Sequence, residues 1–104
     1  MTLPLVIHPD VGTEIEEAAV WYEARRVGLG IEFIEAVDRA LFDIAEAPGR
    51  SPIWSAPWRR AVLRRFPFVV FYEVDDARVV VMAVAHARRR PGYWVARRMP
   101  AEPG

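Results

Sequence analysis

The stretch VAHARRRPGYW (84–94) gathers an imidazole, three consecutive guanidinium groups, a phenol and an indole: His86, Arg88, Arg89, Arg90, Tyr93 and Trp94. Histidine changes charge near neutrality and arginine stabilises a dianionic centre, so His86 beside Arg88 has the chemistry to hold a phosphate and move a proton. The same residues also suit a strand end at which His86 bonds to backbone and the arginines are simply solvated. Tyr93 and Trp94 offer ring faces on which a base could stack, although aromatics that follow a strand more often fold back on the core. Upstream, Arg59, Arg60, Arg64 and Arg65 crowd a neighbouring segment. If it lies next to the last strand, its guanidinium groups converge on one rim, which is either an anion site or a charged sheet edge that discourages aggregation.

Composition narrows what such a patch does. With 104 residues, 53% hydrophobic and 27% charged, the chain forms one globular domain with a modest core rather than a disordered segment. It contains no cysteine, which removes disulfides, thiolate chemistry and cysteine-ligated zinc. A phosphate-cradling glycine loop, an HExxH spacing and a nucleophile elbow are all missing, so no metal or nucleotide cofactor is expected. Neither a secretory leader nor a membrane-length apolar run is present, and the expected location is cytoplasmic, with no membrane partner. Net charge is zero, yet residues 1–50 hold ten acids against four arginines and residues 51–104 hold four against ten, leaving the halves at −6 and +6. One surface therefore attracts an anion or an acidic partner although the whole is neutral.

The elements that must position these groups follow from hydrophobic period. LPLVIH (3–8) reads as a short strand ended by Pro9, after which Asp10 caps a helix over about 10–26. RVGLG reverses the chain into a second helix with Ile34, Val37, Leu41 and Ile44 as its stripe and Phe33 and Ala40 beside it; Pro48 and Gly49 end it. A loop then holds Trp54 and Trp58, where exposure would favour contact with a partner. Period two over 59–65, then the apolar runs 66–74 and 78–87 joined by Asp75-Asp76-Ala77, predict three more strands. Strict alternation in the last puts His86 and Arg88 on one face with Val80, Met82 and Val84. The expectation is an α+β fold: a helical hairpin on a small, mostly antiparallel four-stranded sheet, with a short C-terminal helix after Pro91. The domain spans 1–98 and 99–104 form a disordered tail.

WYEARRVGLGIEFIEAVDRALFDIAEAPG followed by RRAVLRRFPFVVFYEVDDARVVVMAVAHARRRPGYW resembles the RelE/ParE superfamily of type II toxin-antitoxin modules, over residues 3–98. The resemblance implies a small growth-inhibiting toxin held inactive by a cognate antitoxin. Its RelE-like branch cuts messenger RNA on the ribosome without metal; its ParE-like branch binds DNA gyrase. On the nuclease reading, the resemblance gives catalytic roles to His86, Arg88 and Tyr93. On either reading, Arg64, Arg65, Arg88, Arg89, Arg90 and Trp94 are the expected contacts to target or antitoxin. The chain has no lysine, where RelE-type nucleases typically carry several, and a neutral chain gains less than a basic one from counterions released on a phosphate-rich ribosome. Both features favour a gyrase binder, with the ribosome-dependent nuclease as the alternative and a non-toxic stabilising partner as a third.

Overall fold

The His8-Pro9 step both ends the first strand, β1 (Leu5–Ile7), and starts the first helix, α1 (Pro9–Glu23), in a computed structural model that describes residues 2–97. His8 keeps extended backbone and its imidazole Nδ1 accepts from the Asp10 N–H at 3.0 Å, while Pro9 takes a helical position that needs no N–H. The cap is thus His8 and not Asp10, which lies in the first turn and places its charge at the positive end of the helix. The helix stops at Glu23 rather than at 26.

The two glycines of the reversal do different jobs. Gly28 adopts φ +89°, which side chains disfavour. It brings no side-chain cap to α2 (Leu29–Glu46); Glu23 supplies one from the end of α1, its carboxylate accepting from the N–H groups of Gly28 at 2.9 Å and Gly30 at 3.0 Å. At Gly30 the helices meet so closely that a Cβ would lie 2.7 Å from the Ala19 carbonyl oxygen. The buried stripe of α2 is Phe33, Val37, Leu41 and Ile44, and Ile34 lies outside it at 40% exposure.

The remaining elements are β2 (Ile53–Ser55), β3 (Trp58–Val62), β4 (Phe68–Val74) and β5 (Val79–His86), giving a five-stranded sheet in the order β1-β5-β4-β3-β2. This corrects the expected four-stranded, mostly antiparallel sheet with a C-terminal helix, though the helical hairpin and the α+β class stand. The sheet is mixed because β1 runs parallel to β5, which the intervening helical hairpin allows by carrying the chain across before it returns. The added strand, β2, is three residues between Pro52 and Pro57, too short to show an alternation. Residues 91–96 form successive turns, with Val95 N–H bonded to Gly92 and Arg97 N–H to Trp94, and Gly92 at φ +89° interrupts any helix. β3 ends at Val62; residues 63–67 bend, with Arg65 at φ +71°, before β4 begins. The expected tail at 99–104 lies outside the described residues.

A bulge at Met82 in β5 sets which side chains face which layer, because the register steps from Phe71↔Ala83 to Tyr72↔Val81. Val79, Val81 and Val84 therefore join Phe33, Val37, Phe68, Val70 and Tyr72 beneath the helices, whereas Val80, Met82, Ala83 and Ala85 face the other side. That second face is covered by Trp54, Trp58 and Trp94, so the sheet is buried on both sides.

Candidate functional site

β1 covers β5 only as far as Val81, and just beyond it the bulge leaves polar backbone at an edge that β1 does not reach. Two side chains fill that place. The Glu14 carboxylate, from α1, accepts from the Val84 N–H at 3.1 Å, and the Arg97 guanidinium donates to the Met82 carbonyl at 2.9 Å. The two groups also pair in bidentate fashion at 3.0 and 3.1 Å, and Arg97 Nε lies 3.5 Å from Asp10. Their side chains are only 11% and 16% exposed. Burial opposes the charge on Arg97, but the Glu14 carboxylate outweighs it and the guanidinium is pushed above its ordinary value. Among the described residues no group of His, Asp and Glu is arranged to hold a metal ion.

Tyr93 completes this cluster by donating its hydroxyl to Glu14. Burial first, and the adjacent carboxylate second, push the phenol up to about 12. A phenol so held keeps its proton across the neutral range, and that proton is committed to Glu14. Arg89 lies over the Tyr93 ring, its guanidinium carbon 3.6 Å from the centroid. His86, half-buried at the end of β5, packs edge-on against Phe68 at 5.2 Å, and its Nδ1 accepts from the Arg88 N–H at 3.0 Å. In that tautomer Nε2 carries the proton.

The expected contact residues separate into groups. Arg88 and Arg90 are exposed beside His86, with no side-chain partner among the described residues. Arg65 is turned to α2, donating to Glu32 at 2.8 Å, while Arg26 donates to the other oxygen at 2.9 Å; Arg65 and then Arg26 hold the Glu32 carboxyl below its usual range. Arg64 is exposed near Arg50 and Arg60, around a cleft between α2 and β3. Trp94 is fully buried, its ring 5.0 Å from Phe71, 5.2 Å from Trp58 and 5.7 Å from Trp54, with Nε1 buried and unbonded. Its ring packs; it offers no face to a base. Trp54 and Trp58, expected in a loop, are half-buried strand residues of the same layer.

The sequence reading missed Glu14, Asp10 and Arg97 as a unit. Only one local signal existed: position 14 falls within the apolar spacing of Val11, Ile15 and Ala18, an odd place for an acid unless it has a partner. What these elements leave open is a cleft of about 440 Å³ between α1 and the ends of β4 and β5. Trp21, Tyr22 and Phe68 wall it, Glu17 stands on one side and His86 and Arg89 on the other. Such a cleft suits an apolar side chain flanked by polar groups better than a reacting phosphate.

Comparison with known proteins agrees with this architecture. A family model described as the ParE toxin of the type II toxin-antitoxin system parDE matches residues 5–91. Among solved structures, a chain of the chromosomal ParDE TA system from P. aeruginosa superposes with a TM-score of 0.70 over 82% of this chain and 96% of that one. At 11% identity that likeness speaks for a shared fold. No curated protein matches the sequence.

Proposed function

Given that the chain belongs to the ParE family of toxins of type II toxin-antitoxin systems, we propose that it inhibits growth in the cytoplasm by binding DNA gyrase and is neutralised by a cognate antitoxin. One observation carries the binding mode over RNA cleavage: of the three groups a nuclease would use, Tyr93 and the Nδ1 of His86 are engaged within the fold, and Arg88 alone has a free side chain. Tyr93 donates its hydroxyl hydrogen bond to Glu14 and resists ionisation, Arg89 lies on the Tyr93 ring, and His86 Nδ1 accepts from the Arg88 amide. General acid-base catalysis needs groups poised near the working pH and facing the substrate. The exposed Arg88 and Arg90 are left to meet an acidic segment of the antitoxin.

The test compares wild type and His86→Ala in two assays, messenger RNA integrity in a translating extract and gyrase supercoiling. Expected is inhibition of supercoiling by wild type, RNA left whole, and a variant altered in affinity alone. Codon-positioned cleavage by wild type, lowered roughly 10²- to 10⁴-fold in His86→Ala with supercoiling untouched, would establish the ribosome-dependent nuclease instead.

A further inference from the structure

The cleft between α1 and the ends of β4 and β5 carries opposite charges that do not meet. Glu17 stands on its α1 wall and His86 and Arg89 on the other, around a space of about 440 Å³. Among the described residues Glu17 makes no hydrogen bond or ion pair, and neither His86 nor Arg89 has a carboxylate partner. An acceptor on one wall and donors on the other are thus left to whatever enters. Glu14, the second acid at this cleft, is already engaged by the Val84 N–H, the Tyr93 hydroxyl and Arg97.

Between those charges the walls are apolar and ordered in advance. Trp21, Tyr22 and Phe68 supply aromatic surface, with Trp21 edge-on to Tyr22 at 5.1 Å and Tyr22 6.2 Å from Phe68. Arg25 lies 3.3 Å over the Trp21 ring and donates to the Trp21 carbonyl at 3.2 Å, which fixes the indole. On the facing wall the Tyr93 ring holds the Arg89 guanidinium, and His86, its Nδ1 taken by the Arg88 N–H, carries its proton on Nε2. A site held in this way loses little freedom when filled. The backbone beside it is closed: the Val84 N–H goes to Glu14 and the Ala87 N–H to the Pro67 carbonyl, while Pro67 has no N–H. These positions offer an extended chain no donor to pair with.

We propose that this cleft binds a free α-amino acid with a large apolar side chain, its ammonium on Glu17, its carboxylate on Arg89 and the His86 Nε2–H, and its side chain between Trp21, Tyr22 and Phe68. The volume lies within the range of about 300 to 1,000 Å³ that buries one small molecule. The complement to these walls is a cation, an anion and an apolar body in one ligand. A side chain carried by a protein lacks the two charges, because its amine and carboxyl are in peptide bonds. The site is independent of the gyrase reading and of the Arg88 and Arg90 contact.

The full chain is titrated with L-phenylalanine and, in parallel, with phenethylamine, hydrocinnamate, glycine and N-acetylphenylalaninamide, followed by nuclear magnetic resonance shifts of the backbone amides. Phenylalanine should bind to saturation, and each of the others, lacking a charge or the apolar body, should bind at least about tenfold more weakly. The losses should also sort by wall. Glu17→Gln should weaken phenylalanine and phenethylamine about tenfold and leave hydrocinnamate unchanged, whereas Arg89→Gln should weaken phenylalanine and hydrocinnamate and leave phenethylamine unchanged. Glu35→Gln, on α2, should alter none of them. N-acetylphenylalaninamide binding as tightly as phenylalanine would make the cleft a seat for a side chain of a protein partner and overturn the proposal. So would equal affinity for either singly charged analogue, lack of saturation by phenylalanine up to about 20 mM, or an affinity indifferent to Glu17 and Arg89.

Discussion

Glu14 is the residue on which the site turns, because it closes three separate needs with one carboxylate: the Val84 N–H beside the bulge, the Arg97 guanidinium and the Tyr93 hydroxyl. Removing one member of a nearly buried pair leaves the other charged and poorly solvated. Glu14→Ala and Arg97→Ala should each cost about 2 kcal/mol or more in urea denaturation, with a coupling in the double-mutant cycle of about 1 to 3 kcal/mol. Additive losses would show that the two groups do not act together. Tyr93 adds a pH dependence of defined sign. Its folded value, about 12, lies above the ordinary 10, so the stability it contributes is complete below pH 10 and disappears as pH rises toward 12. The urea midpoint of wild type should therefore fall more steeply between pH 10 and 12 than that of Tyr93→Phe. Tyr22, also raised by burial, titrates in both proteins, and the difference isolates Tyr93.

At the scale of elements, one substitution made at two glycines should give opposite signs. Gly12 lies within α1 with open space around its missing Cβ, so Gly12→Ala should stabilise by about 0.5 to 1 kcal/mol through helix propensity. Gly30 lies against the Ala19 carbonyl, so Gly30→Ala should force the helices apart and cost about 1 to 3 kcal/mol, read in the same thermal melt. Both helices, the reversal between them and the β4-β5 hairpin were legible in sequence, because apolar period and the Gly28-Leu29-Gly30 break are local signals. The bulge at Met82 was not, since VVVMAVA is apolar on every residue and carries no parity to violate; the facing of His86 with Met82 was lost with it. β2 escaped for want of length, and the parallel placement of β1 depends on where the helical hairpin returns. Within the site, His86 and the arginines announced themselves by clustering. Glu14 and Arg97 pair across almost the whole chain, a separation that no window of sequence spans.

For the molecule as a whole, polarity outweighs net charge. The acids lie mainly on α1 and α2, while Arg64, Arg88 and Arg90 stand exposed just past the end of the sheet where β3 and β5 finish. If the proposed contact is with an acidic segment of the antitoxin, its encounter should therefore be steered. Raising sodium chloride from about 50 mM to about 500 mM should slow association measured by stopped flow by tenfold or so, with dissociation little changed, and Arg88→Glu with Arg90→Glu should flatten that dependence. An association rate indifferent to salt would remove the steering. The distribution of the four tryptophans has an optical consequence. Trp54, Trp58 and Trp94 are packed into the layer beneath the sheet, whereas Trp21 is 52% exposed at the mouth of the cleft beside His86, with Arg25 stacked on its ring. Iodide in the buffer will reach the emission of Trp21 first and that of the half-buried Trp54 and Trp58 less, leaving the blue-shifted emission of the buried Trp94, so quenching separates occupancy of the cleft from loosening of the core.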